Sequence, residues 1–541
     1  MRRFWPNRFQ TRKLLGSLVF LSAVSGPAWS QEEAVLDDPL VGGGEAAATN
    51  GATDDGSAEM NGELGGEELS EGQRALQEKM AQAESLMKEK KWTEAIQVYN
   101  EVLAMNSNAN AIALVGQAEC LYNLNSVEQA VTAVSRALIQ PGATMFPGLQ
   151  ERAVLLRGRI YLDMGRYREA MEDLGAALQA NPGNPEANYL SGKASLRMIA
   201  TANTGGLDQG AQATLLQGVA MLQRAIELKP NFGEAYLERG RILFRLGEMD
   251  FAIQDHEQAT RILGLSSDAA ADLGVALSRR AREKATGPSP DGEAIVEDLR
   301  NALRNLDGYL KTARLGMKTP PWQTQDPIRV EPDSVALTRV ETAIALGDEL
   351  EGNERTEQYQ SALADSDKML ALELSGIDKA RAHYTRGVAL RMMDQLLPAV
   401  DAFTEAIQAW PSVYGAYSEA HLRRGICYYH LGEYGEALQD FDAAAAMASN
   451  PYAYEPRAML WAGMTQVRQG DLDAAIRSYT RAVSTAPTFV PALVNRGLAY
   501  LHQGRYQAAV EDFDSVLRLD PHHADALAYR KLASDRLASQ P

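Results

Sequence analysis

The chain has 541 residues, of which 45% are hydrophobic and 23% charged, a composition typical of folded proteins rather than disordered ones. Its two cysteines exclude a disulfide framework, and together with seven histidines they leave little material for a structural zinc site. The net charge of −18 argues against a nucleic-acid partner, because such affinity comes mainly from Lys and Arg neutralising phosphates. It also argues against attachment to anionic lipid by charge.

Residues 1–30 have the pattern of a secretory signal peptide. They contain five basic residues and no acidic one, followed by an apolar run over 14–24. Ala28 and Ser30 then supply the two small residues that precede a cleavage site. The apolar run is too short to cross about 30 Å of hydrocarbon, and the alternative is a short anchor that stays uncleaved. We expect an exported chain, periplasmic or secreted, with no stable membrane insertion after cleavage.

Residues 31–72 predict a disordered acidic tether. They hold twelve acidic residues, no basic residue and no aromatic residue. Such a segment cannot bury enough apolar surface to offset the entropy lost on ordering. A specific acidic ligand for a basic partner is the alternative.

An internal repeat is the strongest signal in the sequence. Five kinds of position in the last quarter recur at an offset of 34 residues: Gly463 and Gly497, Gly470 and Gly504, Ala475 and Ala509, Tyr479 and Phe513, Pro487 and Pro521. Upstream, Gly387, Gly425 and Gly463 recur at 38. Periods of this size indicate stacked repeat architectures.

The repeating residues resemble the tetratricopeptide repeat (TPR) family. That family has a small residue at position 8, an aromatic near 11, Ala at 20, an aromatic or apolar residue at 24, Ala at 27 and Pro at 32. Residues 490–523 supply Gly497, Tyr500, Ala509, Phe513 and Pro521, departing at position 27 with Val516. Nine such units begin at 76, 111, 151, 185, 233, 380, 418, 456 and 490.

The resemblance implies an all-α, right-handed superhelical solenoid of stacked antiparallel helix pairs. Small residues at 8 and 20 let the two helices approach, and a glycine ends the first helix where a left-handed backbone is needed. One pair cannot hide its apolar face, so neighbouring pairs must stack.

The quality of the match divides the chain. We expect an N-terminal TPR block (73–266), a divergent helical junction with loops (267–379), a C-terminal TPR block (380–523), and a capping helix with a short tail (524–541). The junction is set apart because Pro288, Pro290, Pro320 and Pro321 interrupt its helical spacing.

In the TPR family, positions 2, 5, 6, 9, 12 and 13 of the first helix face a concave groove. Carried over to the C-terminal block, this implies a basic, aromatic-lined groove that presents Arg381, Tyr384, Arg391, Arg423, Tyr429, His430, Arg457, Trp461, Arg468, Asn495 and His502. The implied ligand is an acidic or carboxylate-bearing peptide. The alternative is that these arginines pair with acids of the neighbouring repeat.

No motif for catalysis or cofactor binding is found. Walker-type, HExxH, GxSxG and nucleotide-type GxGxxG patterns are missing from the sequence. His522 and His523 are the best metal candidates, but a linker to the cap explains them better, and Cys120 and Cys427 are expected to be buried free thiols. We therefore expect a non-catalytic scaffold for protein or peptide partners, without metal or cofactor. The alternative is a regulatory or substrate-presenting subunit of an envelope enzyme complex.

Overall fold

The structure is a computed structural model that describes residues 71–105, 110–139, 147–202, 207–287, 290–316, 328, 331–410, 418–446 and 455–539. The expected signal peptide and nearly all of the expected tether lie outside these ranges. Within them the regular structure consists of 23 α-helices, with no strand. The helices form two compact units, and the boundary follows Pro230.

The N-terminal unit (71–230) contains eight of the helices. They are α1 (Glu71–Lys88), α2 (Trp92–Met105), α3 (Ala111–Asn123), α4 (Val127–Leu138), α5 (Pro147–Asp163), α6 (Tyr167–Ala180), α7 (Pro185–Thr201) and α8 (Gln209–Leu228).

The C-terminal unit (231–539) contains the other fifteen. They are α9 (Gly233–Leu246), α10 (Met249–Leu263), α11 (Asp268–Thr286), α12 (Gly292–Leu310), α13 (Pro332–Glu349), α14 (Gly352–Leu370), α15 (Gly376–Met392), α16 (Leu396–Ala409), α17 (Ser418–Leu431), α18 (Tyr434–Ala446), α19 (Glu455–Gln469), α20 (Leu472–Thr485), α21 (Val490–His502), α22 (Tyr506–Leu519) and α23 (Ala524–Ala538).

The helices form hairpin pairs, in which the odd-numbered helix is here named A and the following even-numbered helix B. Within each unit every B helix also packs against the next A helix. Successive A helices contact each other as well, whereas among the described residues successive B helices do not. The A helices therefore line the inner side of the stack in each unit.

The turn between an A and a B helix requires a left-handed residue. Gly432 provides it in the α17–α18 turn with φ of 87°, at no steric cost. Asn125 takes the same role between α3 and α4 with φ of 59°, which Asn tolerates better than most residues. A glycine is thus favoured at this turn but not obligatory.

In most of the helix pairs the A helix approaches its B helix closely at one glycine. A Cβ placed on Gly463 would lie 2.4 Å from the ring of Tyr479, and one on Gly425 would lie 2.7 Å from Phe441. The same contact recurs at Gly158 with Leu174, Gly192 with Leu222, Gly240 with His256, Gly387 with Phe403 and Gly497 with Phe513. The large side chain on the B helix fills the space that the glycine leaves.

An arginine directly before this glycine forms a bidentate ion pair with an aspartate on the B helix. Arg424 Nε and Nη2 lie 2.8 Å from the two carboxylate oxygens of Asp440, and Arg424 Nη1 donates to Thr404 on the preceding B helix at 2.9 Å. One guanidinium therefore ties three helices together. The matching sets elsewhere are Arg157 with Asp173 and Ser135, Arg496 with Asp512 and Thr480, and the pair Arg239 with Asp255.

Residues 268–370, which the sequence places in a divergent junction, hold four helices that pair as the others do. A Cβ on Gly274 of α11 would lie 2.6 Å from Leu306 of α12, and one on Gly347 of α13 would lie 2.7 Å from Tyr359 of α14. The partners here are separated by 32 and 12 positions, whereas Gly463 and Tyr479 are separated by 16. Because the spacing changes while the contact persists, a fixed-period pattern misses these two pairs.

Helix α23 is the last described helix and lies where the capping helix is expected. It packs on α22, with the rings of Phe513 and Tyr529 stacked at 6.0 Å. His523 caps the helix by accepting a hydrogen bond from the Ala526 amide at 3.2 Å. That role accounts for His523 without a metal.

We predict that Gly463→Ala lowers the free energy of unfolding by about 1–3 kcal/mol, because the new methyl group would overlap the ring of Tyr479. Gly435→Ala, in the neighbouring repeat, is the matched control, since nothing lies within 4 Å of its Cβ position. Urea unfolding followed by circular dichroism measures both. Equal stability of the two variants would contradict the close approach.

A second prediction concerns the Arg–Asp pairs. Asp512→Asn should lower the free energy of unfolding by about 1.5–3 kcal/mol, because the largely buried Arg496 loses its charged acceptor. Asp514→Asn, two residues away on the same helix, breaks an exposed pair with Arg530 and should cost at most about 1 kcal/mol. Denaturation midpoints of the two variants and the parent chain measure these losses. A larger loss of stability in Asp514→Asn than in Asp512→Asn would refute the prediction.

Candidate functional site

The eleven predicted groove residues lie on four successive A helices. Helix α15 presents Arg381, Tyr384 and Arg391; α17 presents Arg423, Tyr429 and His430; α19 presents Arg457, Trp461 and Arg468; α21 presents Asn495 and His502. These four helices contact one another in order along the inner side of the C-terminal unit. Their side chains, however, have different surroundings.

Arg381 is compensated inside the protein. Its Nη2 lies 3.0 Å from Glu341 Oε1, and Arg282 Nη2 lies 3.5 Å from the other oxygen of the same carboxylate. Glu341 is 3% exposed and belongs to α13, within the predicted junction. The acid that neutralises Arg381 thus comes from a region in which the sequence shows no pairing signal.

Arg423 and Arg457 also lie within ion-pair distance of a carboxylate, that of Glu419, although neither of its oxygens accepts a hydrogen bond from a described residue. Arg423 is buried, and its Nε lies 2.9 Å from Glu419 Oε1 and donates to the Tyr384 hydroxyl at 2.6 Å. Burial by itself would lower the pKa of Arg423, but Tyr384 and Glu419 outweigh it and raise that pKa. Arg457 Nη1 lies 3.6 Å from Glu419 Oε2. For three predicted groove arginines the structure therefore shows internal pairing.

Arg391 differs from these three. Its side chain is partly buried, its Nε is shielded from solvent without a hydrogen-bond partner, and its Nη2 donates only to the Met392 sulfur at 3.2 Å. Burial, and then the nearby charge of Arg423, lower the pKa of Arg391. Among the described residues no carboxylate forms an ion pair with it.

An aromatic cluster lies on α17 and α19. The Tyr429 ring packs edge-on against Trp461 at 5.3 Å and against His430 at 5.3 Å. Arg468 Nε donates to the Tyr429 hydroxyl at 3.0 Å, and its guanidinium lies 5.9 Å from the centre of that ring. Tyr429 and Trp461 are buried, whereas His430 and Arg468 are exposed. The cluster thus offers a rigid aromatic base with a basic, accessible rim.

Asn495 and His502 lie one repeat further along, on α21. Asn495 Nδ2 donates to the Pro491 carbonyl of its own helix at 2.7 Å. His502 is exposed in the last turn of the helix. Asn495 therefore already has a local acceptor, while His502 is accessible at the edge of the same side.

The expected chemistry of the thiols is confirmed. Cys120 and Cys427 are free and buried, and burial raises the pKa of both to about 11.

In the described part of the chain, no group of three His, Cys, Asp or Glu side chains could hold a metal ion. Nor does any helix there combine the length and apolar character needed to cross a bilayer.

Two family models described as tetratricopeptide repeat match the chain. The first matches residues 80–145, 155–197, 206–266 and 460–524, and the second matches 418–451. Together with the stacked helix pairs, these matches show that the chain contains tetratricopeptide repeats.

Several named proteins resemble parts of the chain. BBSome complex member BBS4 of Bos taurus is 31% identical over 103 residues, which are 19% of each chain. Tetratricopeptide repeat protein 6 of Homo sapiens is 33% identical over 154 residues, 28% of each chain, and tetratricopeptide repeat protein 13 of Homo sapiens is 29% identical over 139 residues. The matched segments span only 15–28% of these relatives' lengths.

Two solved structures are similar to about a third of the chain. YrrB, a TPR protein with an unusual peptide-binding site, is 24% identical, with a TM-score of 0.27 over 35% of this chain and 91% of its own. MamA is 20% identical, with a TM-score of 0.27 over 35% of this chain and 97% of its own.

Proposed function

We propose that this chain is a non-catalytic scaffold that binds acidic peptide segments of partner proteins along the A helices of its C-terminal unit. The supporting observation is the cluster of Tyr429, His430, Trp461 and Arg468, in which exposed basic groups stand on a buried aromatic base. Aromatic rings give large contact area at low entropy cost, and a guanidinium can bind a carboxylate through two hydrogen bonds.

Fewer residues are available to contact an acidic peptide than the groove positions of the family imply. Arg381, Arg423 and Arg457 already hold Glu341 and Glu419, so an incoming carboxylate would have to displace a buried ion pair to reach them. We assign selectivity for acidic segments to Arg468 and His430, whose side chains are exposed at the aromatic cluster. Because the whole chain is acidic, attraction of an acidic peptide must come from such a local group rather than from net charge.

Export of the chain is part of the proposal. Its support is the order of basic, apolar and small residues in 1–30. The chain purified from its own host should begin at Gln31, as intact mass and N-terminal sequencing would show. A chain that retains Met1 would contradict cleavage.

The binding proposal predicts that Arg468→Glu weakens capture of an acidic peptide by roughly tenfold or more, through loss of one attraction and gain of one repulsion. The probe is a fluorescent Glu-rich peptide, compared with the same peptide carrying Gln, and the readout is anisotropy with the full chain. Arg477→Glu, exposed on the B helix α20, makes the same charge change away from the inner side and should leave affinity within about twofold.

Equal affinity for the Glu-rich and Gln-rich peptides would remove the acidic specificity. Equal weakening by Arg468→Glu and Arg477→Glu would show that net charge, not the aromatic cluster, governs binding.

A further inference from the structure

A small pocket lies between the A helices α13, α15 and α17. Its volume is about 10 Å³, enough for one water-sized atom group. It is lined by Glu341, Ile344, Asp348, Tyr384, Thr385, Val388, Arg391, Met392 and Arg423. The pocket is separate from the aromatic cluster around Trp461.

Two of the four charged residues in the lining have their charges balanced from outside the pocket. Glu341 is held by Arg381 and Arg282, and Arg423 is held by Glu419. The remaining two, Arg391 and Asp348, form no ion pair with any described residue. The buried Nε of Arg391 has no hydrogen-bond acceptor, which is costly for a guanidinium, so Arg391 is the group in this pocket that a ligand would satisfy.

Asp348 controls how much negative charge faces Arg391. Tyr359 donates a hydrogen bond to Asp348 Oδ1 at 2.7 Å, and burial raises the pKa of the Asp348 carboxyl to about 6. Because the folded-state pKa lies above that of a free Asp, the folded chain binds a proton here as the pH falls towards 6. Above that pH Asp348 opposes an incoming anion; below it, the charge of Arg391 stands alone.

The other charged or ionisable groups near Asp348 and Arg391 lie on helices α13, α14, α15 and α17. Glu341 and Glu419 lie in ion pairs, Glu349 is exposed to solvent, and Arg355 donates to the Gly347 and Asp348 carbonyls. Burial raises the pKa of Tyr359 and of the Cys427 thiol, and despite burial Tyr384 and Glu419 raise the pKa of Arg423. We assign the change near pH 6 to Asp348.

We propose that this pocket binds one carboxylate group, with one oxygen accepting from Arg391 Nε, and that binding is coupled to uptake of a proton by Asp348. The pocket admits a single oxygen, and the rest of the group extends out of it. Glu341 and Asp348 disfavour a dianion. The carboxylate comes either from a free small acid or from a peptide; only the peptide source rests on the proposed function.

The test uses the full chain and formate, which stays ionised at mildly acidic and neutral pH. Saturation-transfer NMR of the formate proton should show binding roughly tenfold tighter at about pH 5 than at about pH 7.5, because Asp348 is protonated only at the lower pH. Binding of equal strength at both pH values, or no binding at either, overturns the proposal.

Two variants locate the effect. Arg391→Met keeps the length of the side chain and should abolish formate binding, while Arg391→Lys should retain part of it. Asp348→Asn keeps the acceptor for Tyr359 and should bind formate with little pH dependence. Retained binding in Arg391→Met, or the parent pH dependence in Asp348→Asn, overturns the assignment; should Arg391→Met fail to fold, Asp348→Asn decides alone.

A peptide with a free terminal carboxylate, compared with its amidated form, identifies the source. If amidation lowers the affinity of the parent chain for the peptide, and Arg391→Met binds the free and amidated peptides equally, the pocket binds a chain terminus. That result supports the proposal. Formate binding with no effect of amidation assigns it to a free acid and also supports it. Since Arg468→Glu tests the aromatic cluster alone, the two proposals fail independently.

Discussion

The close approach of each A helix to its B helix is the constraint on which the rest of the structure depends. A glycine on the A helix admits a large side chain of the B helix, as Gly425 admits Phe441. The residues immediately before these two, Arg424 and Asp440, are then brought within bidentate hydrogen-bond distance. Packing and ion pairing therefore depend on the same short distance between the two helices. A wider separation would leave a void beside the glycine and break the salt bridge.

The same geometry shapes the chemistry of the inner side. Stacking brings successive A helices into contact, so that charged residues of adjacent repeats face one another across a short distance. Most find a counter-charge there, as Arg381 does with Glu341 and Arg457 with Glu419. The two proposals place ligands at the exposed rim of the aromatic cluster and at the guanidinium of Arg391.

The sequence could place the candidate residues on their helices but could not say which of them are already paired. Repeat positions place all eleven candidates on A helices, and the structure finds them there. Which arginines are already neutralised depends on acids elsewhere in the chain, such as Glu341 on α13, which pairs with Arg381. Glu341 lies where the repeat pattern is weakest, since no local spacing relates it to α15.

The repeat pattern indicated the class of fold through its resemblance to the tetratricopeptide repeat family, in which a glycine, an alanine and an aromatic at fixed offsets let two helices pack closely. It also placed the left-handed turns, which follow from backbone sterics at single residues such as Gly432. Only the tertiary structure decided that 268–370 forms two further pairs, and that an arginine paired with an aspartate of its own repeat also reaches the preceding repeat, as Arg424 reaches Thr404. These depend on contacts between helices of unequal length, and a contact can persist when the number of intervening residues changes.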